Sequence, residues 1–589
     1  MKITGARWGM LSLVVALASQ AGAPVAQACG GFFCSSTPVD QNAERIVFKV
    51  RDDGKTDMIV QISYQGKAED FAWLLPLAEP PAKEDLGIFP QLALSSLDAQ
   101  TGVSIQRPCV SRDSRGGGEL DDLDAAAEEE HGVQVFVRAQ VGNYDVAVIG
   151  SSDAQASADW LDQNGFRISP AMLGFLKLYT DEGMKFLALK LLPEKSVNDI
   201  TPFKLTLPGT TPSIPLRLSA VAAEPEMGIV AWIFGKERYE PANAPELSIS
   251  DSDLRYDFST GRSNWTAVVA RAVDEMNGRG FVVENAQSLD ELRQFAMNSF
   301  ANTEEQMKAQ TALLELFAGA SYMTRLYTRV SPEEMTYDPS FRRSNKGDVS
   351  RFRTAKGDAD ECRGDDTPDP CDYVACGALG LCRTVVQDGQ QVAACACAEG
   401  ATARTTFEAS TNQSAALLTT VSCVDQRLSF LNPGDRNAAG EALSDPCVGV
   451  DCGGHGKCVA MNMTPTCACE HGYVAQGKVA ADGTRSAVCL KPKLAVPDAF
   501  YNRRQLERDT TLPVGREMQP PTPSGPSDYD DPVPDGNPMN QGRPKPGANH
   551  KASCAVRPAS DGPSAWAALL SAALGGVFLA RRRGRGRAD

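Results

Sequence analysis

Apolar and polar residues alternate through Met58, Val60, Ile62 and Tyr64, which predicts a β-strand over Met58–Tyr64. Arg45–Val50 is a second β-prone run, and Asp52-Asp53-Gly54 between the two supplies hairpin turn chemistry. Phe71–Leu75 stops at Pro76, as an edge or terminal strand does. Val133–Gln140 and Tyr144–Ile149 form another strand pair through Gly142-Asn143, and Asp153–Asn164 predicts a short helix stopped by Gly165. Met184–Leu192, Pro215–Ala220 and Ile229–Phe234 are further strand candidates. After residue 265 the pattern turns helical. Ser288 with Glu291, and Thr303 with Gln306, have capping-box spacing. Leu313, Leu314, Phe317, Met323, Leu326 and Tyr327 recur near helical spacing as core. Strands early and helices late predict an α+β domain over residues 29–345. Far downstream, Gly562–Ala580 carries no charge; as a helix those residues reach roughly 28 Å, about the thickness of a bilayer's hydrocarbon core.

The two ends change this picture. Met1–Ala28 has the form of a secretory signal: Lys2 and Arg7, an apolar centre over Met10–Ala18, and Ala26-Gln27-Ala28 as a small-x-small cleavage site after Ala28. Acylation of Cys29 is a weaker alternative, because those three residues make a poor lipobox. At the other end, Cys554 precedes the apolar span and an arginine cluster from Arg581 to Arg587 follows it. Arginines of that kind stay on the cytoplasmic side, which places the upstream chain across the membrane. Between the ends, the formal charge of −16 argues against nucleic acid and against adsorption to anionic lipid.

Cysteine usage agrees with export. Of 17 cysteines, twelve fall between Cys371 and Cys489, a density that oxidising compartments favour. They form two repeats: Cys371, Cys376, Cys382, Cys395, Cys397, Cys423, then Cys447, Cys452, Cys458, Cys467, Cys469, Cys489. Segments so short bury too little apolar area to fold alone, which points to a disulfide framework rather than to tetrahedral zinc. Cys29 and Cys34 bridge each other or pair with Cys109 and Cys362; the sequence does not choose. From residue 491 to 553 the chain is rich in Pro, Asp, Gly and Asn, and predicts an extended, disordered stalk.

Catalytic chemistry has few carriers in the head. His131, beside the acidic loop 113–130, is its sole histidine, and neither a nucleophile elbow nor an HExxH motif is present. Arg325 and Arg329, four apart on an expected helix face, could clamp an anion; pairing with Glu333 or Glu334 is the plainer expectation. A pair of carboxylates acting on a glycosidic bond leaves no sequence trace. No catalytic residue, metal ligand or cofactor is assigned.

Three resemblances follow from these residues. Cys29-Gly-Gly-Phe-Phe-Cys34, Phe71–Leu77, Tyr144–Ile149, 158–165 and, most specifically, 322–334 resemble the family known as domain of unknown function 2330, which carries no established activity. The cysteine repeats, with Cys469-Glu-His-Gly472-Tyr473, resemble epidermal-growth-factor-like modules over 362–423 and 447–490. That resemblance implies the pairs Cys371–Cys382, Cys376–Cys395, Cys397–Cys423, Cys447–Cys458, Cys452–Cys467 and Cys469–Cys489. Neither repeat carries the acidic lead-in of the calcium-binding kind. Residues 554–589 resemble the MYXO-CTERM sorting signal of myxobacterial surface proteins, which implies a membrane partner, a sorting protease acting near Cys554, and lipid attachment to its sulfur. The expectation is an exported, cell-surface-anchored, non-catalytic protein that contacts other cells, extracellular proteins or matrix, with the modules as spacers or binding surfaces. The alternative is a surface-displayed hydrolase of extracellular polymers.

Overall fold

The computed structural model describes residues 40–65, 72–106, 134–166, 170–196, 199–257, 262–299, 302–355, 369–408, 418–429, 432–435, 442–479 and 485–502. The chain divides into two units, Met1–Pro520 and Pro521–Asp589, and none of the second is among the described residues.

The head is a mixed α/β domain built on an eight-stranded sheet. Its order is Glu246–Leu247, Phe281–Ser288, Tyr322–Val330, Ala223–Gly235, Asp40–Val50, Lys55–Gln65, Phe203–Pro208 and Leu86–Ile88. Asp40–Val50 and Ala223–Gly235 lie at the centre and run parallel, while most other neighbours are antiparallel. Both central strands are covered on two faces, so Ile46, Val47 and Phe48 in one, and residues 229–235 in the other, form nearly continuous apolar runs. A parallel pairing needs a long crossover. Here the intervening chain builds a second, four-stranded sheet in the order Ala72–Leu77, Lys185–Leu191, Tyr144–Gly150, Gln134–Val141.

The layers follow from side-chain parity. One face of the large sheet carries helices Gln91–Thr101, Trp265–Asp274, Asp290–Asn298 and Glu304–Phe317, with Trp232 Nε1 donating to Thr101 Oγ1 at 2.8 Å and Lys49 Nζ to the Glu315 carbonyl at 2.7 Å. The other face meets the small sheet, where the Tyr144 ring stands edge-on to Phe203 at 5.9 Å. Lys190, of opposite parity to Leu189, reaches the Asn164 carbonyl beyond helix Ala154–Gln163, which covers the small sheet's far side.

Several expectations change. Pro215–Ala220 is not a strand but leads into a 3₁₀ turn, Arg217–Val221, because Asp338 accepts from both the Arg217 amide and its Nε at 2.9 Å and curls the chain. The late region is not mainly helical. Leu313, Leu314 and Phe317 lie in a helix, whereas Met323, Leu326 and Tyr327 lie in strand Tyr322–Val330, one of the inner strands. Short apolar runs do not separate the two periods. Thr303 and Gln306 do form a reciprocal capping box; Ser288 instead pairs with Asp290, and Leu289 holds the cap position. Among the described residues no helix is long and apolar enough to cross a membrane, and Gly562–Ala580 lies outside them.

Candidate functional site: the disulfide body and its seat on the head

The two cysteine repeats are closed by six bridges: Cys371–Cys382, Cys376–Cys395, Cys397–Cys423, Cys447–Cys458, Cys452–Cys467 and Cys469–Cys489. In each repeat two hairpins form. The first turns on Asp388-Gly389 in one repeat and Asn462-Met463 in the other, all four residues having positive φ, as a two-residue hairpin with the right twist requires.

The repeats do not stand apart as separate beads. Hairpin 380–397 of the first shares a sheet with hairpin 474–490 of the second, and hairpin 401–425 of the first shares another with hairpin 456–469 of the second. The joints are equivalent: Cys395 opposite Ala475, and Ala403 opposite Cys467. Thr402 Oγ1 donates to Thr466 Oγ1 at 2.9 Å, and Thr405 Oγ1 to the Ser486 carbonyl at 2.6 Å. Small residues at the crossing, Ala401, Ala403, Ala475 and Ala487, let the half-cystines of both repeats share one core. The packed chain also continues past residue 491, where composition places the stalk. Val496 and Tyr501 are buried against Val385, Ala394, Ala396 and Val474. Tyr501 packs on His471 with centroids 4.1 Å apart, and its hydroxyl accepts from the Gly472 amide at 3.1 Å.

This body sits on the head along a polar seam. Arg271, on helix Trp265–Asp274, donates through Nη1 to the carbonyls of Cys371, Asp372 and Val374 at 3.2–3.3 Å. Arg404 of the first repeat pairs with Glu224 of the head at 3.4 Å, both side chains only 7% exposed. Gly377, at a left-handed φ of 76°, lies where a Cβ would be in ordinary contact with the head, 3.4 Å from Glu226 Oε1 and 3.6 Å from Ser331 Oγ. Glu226 adopts a left-handed φ of 58°, held by Ser331, whose hydroxyl accepts from the Glu226 amide at 3.1 Å and donates to its carboxylate at 3.2 Å.

Two other groups in the head carry buried charge. Arg325 lies in a strand, not a helix. It bonds Glu284 and Asp98 at 2.6 Å each and packs on Trp232 at 4.8 Å, while Arg329 Nε stands 3.9 Å from Glu226. The two arginines therefore serve different partners, Arg325 the Asp98–Glu284 pair and Arg329 Glu226. Glu44, 6% exposed on the central strand, has one carboxyl oxygen without a hydrogen-bond partner, and burial pushes its pKa up from the ordinary 4.5 to about 7. Between the sheets lies a small apolar recess of ≈10 Å³, room for about one water, lined by Val60, Trp73, Tyr144, Leu189, Ile200, Thr201 and Phe203; none of these is an acid. Ala28, Cys29, Cys34, Cys109, His131, Cys362 and Cys554 lie outside the described residues.

A family model with the description "Uncharacterized protein conserved in bacteria (DUF2330)" matches residues 23–342. No curated protein matches the chain. Among solved structures, that of baculovirus P35 is 12% identical, covers 34% of this chain and 65% of its own, and has a TM-score of 0.21. A mutated baculovirus P35 after caspase cleavage gives 12%, 33%, 68% and 0.21. Likeness at that level bears on neither fold nor function.

Proposed function

The chain belongs to the DUF2330 family, and on that premise we propose that it is an exported, surface-anchored, non-catalytic binding protein. One observation supports this reading above the others: six disulfides staple a body that is seated on the head, and a molecule so dependent on bridges belongs in an oxidising compartment. The sequence adds the route, with a secretory signal to Ala28 and a MYXO-CTERM-like tail from Cys554. On this reading the head and an interlocked pair of EGF-like repeats together form the surface offered to extracellular proteins or matrix, and the chain beyond residue 502 links them to a membrane or lipid anchor.

Mass spectrometry of the mature protein's two ends tests it. Cleavage after Ala28 and processing at Cys554 are expected, with the ectodomain digested by protease added to intact cells. Replacement of Cys554 by Ala leaves the protein in the inner membrane. A full-length, reduced chain in the cytosol is incompatible with the proposal.

A further inference from the structure

We propose that the seam between the head and the first cysteine repeat is a latch that protons close: the repeat stays seated while the Glu333 carboxyl is neutral and lifts when it ionises. The geometry is a cluster of acids gathered at a contact between two parts of the chain. Glu333 belongs to the short segment Pro332–Glu334, which packs against strand Leu418–Asp425 of the first repeat, strand Ala223–Gly235 and the turn Arg217–Val221. As a residue it is half-buried, yet both its carboxyl oxygens are closed off from solvent and have no hydrogen-bond partner. A carboxylate held so, with only its own backbone amide to offset the burial, is costly; a neutral acid is far less so.

The charged groups around it do not relieve that cost. Beside it, Glu334 accepts from the Ser331 amide at 2.9 Å. From the repeat comes Asp425, 1% exposed and gripped by Arg427 at 2.6 Å; from the central strand come Glu226, near Arg329, and Glu224, paired with Arg404. Arg217 on the turn is committed to Glu182 and Asp338, and Arg279, on the loop that touches Glu334, lies over the Tyr337 ring. Burial first, and then the neighbouring charges of Glu334, Asp425 and Glu226, push the Glu333 carboxyl well above the usual range. An acid so raised in the closed state supports closure fully below its ordinary pKa, and that support is lost as pH rises through the closed-state value. The seam therefore loosens toward alkaline pH and tightens toward acid.

Hydrogen–deuterium exchange on the mature protein tests this between pH 5.5 and 8.5, with labelling times corrected for intrinsic exchange. Peptides spanning 331–335 and 421–425 report the seam, and 230–234 in the central strand is the internal reference. Release of a proton on opening makes the seam's opening constant rise with pH, by no more than about tenfold per unit, and this rise exceeds the pH-dependent loss of global stability that 230–234 reports. In Glu333→Gln the seam stays protected throughout. Seam protection that does not fall with pH in the unaltered protein overturns the proposal without any variant. So does a pH dependence that persists unchanged in Glu333→Gln.

Discussion

Arg325 shows how much one side chain can commit a fold. It is 6% exposed and draws Asp98 from one helix and Glu284 from a neighbouring strand onto the face of Trp232, while Trp265 Nε1 donates to the other Glu284 oxygen at 2.7 Å. Removing one partner of such a network strands the others, so Arg325→Met should cost about 3–5 kcal/mol in denaturant unfolding. Glu284→Gln, which keeps the shape and one acceptor, should cost less. Glu44 makes a pH prediction of definite sign. With its pKa raised to about 7, its contribution is fully present below about 4.5 and is lost as pH rises through 7. The penalty for ionising it is of the order of 3 kcal/mol. Unfolding free energy should therefore fall from about pH 5.5 to 8.5 in the natural protein and fall less in Glu44→Gln, where the contribution of Glu333 remains. In the sequence Glu44 shares strand parity with Ile46 and Phe48, but nothing near it shows that this end of the apolar face is covered, so an acid there looks like the rim of the core.

Elements were legible where local chemistry acts alone. The turn at Asp52-Asp53-Gly54, the Asp153 N-cap and the Thr303–Gln306 box are set by neighbours within a few residues. Thr303→Ala should lower stability by about 1 kcal/mol, read from thermal or denaturant unfolding. The strand Tyr322–Val330 was not legible as one, since its apolar residues continue the spacing of the preceding helix and only pairing with Ala223–Gly235 separates them. The cysteine repeats carry the same lesson further. Cysteine order marks each repeat as a stapled unit, but the partner of each hairpin lies in the other repeat. Replacing Cys452 and Cys467 together by Ser should cost about 2–4 kcal/mol for the lost bridge. Its distinctive outcome is that amide protection falls in Ala401–Glu408 of the first repeat as well as in the second, since Ala403 pairs with Cys467. Loss confined to the second repeat would contradict the interlock.

Across the whole molecule, the bridges and the seam make the head and the repeats one compact body within Met1–Pro520 rather than a head on flexible spacers. All twelve cysteines among the described residues are bridged, so thiol titration of the non-reduced, denatured protein should find at most five reactive groups. Reduction should expose all of them and release the repeats first, because their own apolar core is small beside that of the head.

The sequence by itself determined what depends on residue type and near spacing: the hairpin turns, the helix caps, the clustering of cysteines, and the apolar and charged character of both ends. The tertiary structure alone decided what depends on residues far apart in the chain. It brought Asp40–Val50 beside Ala223–Gly235, exchanged hairpins between the repeats, and gathered Glu224, Glu226, Glu333 and Asp425 at one seam. The physical reason is that burial and the approach of charges are properties of the assembled layers, and no local pattern in the chain encodes which acid will lose its water.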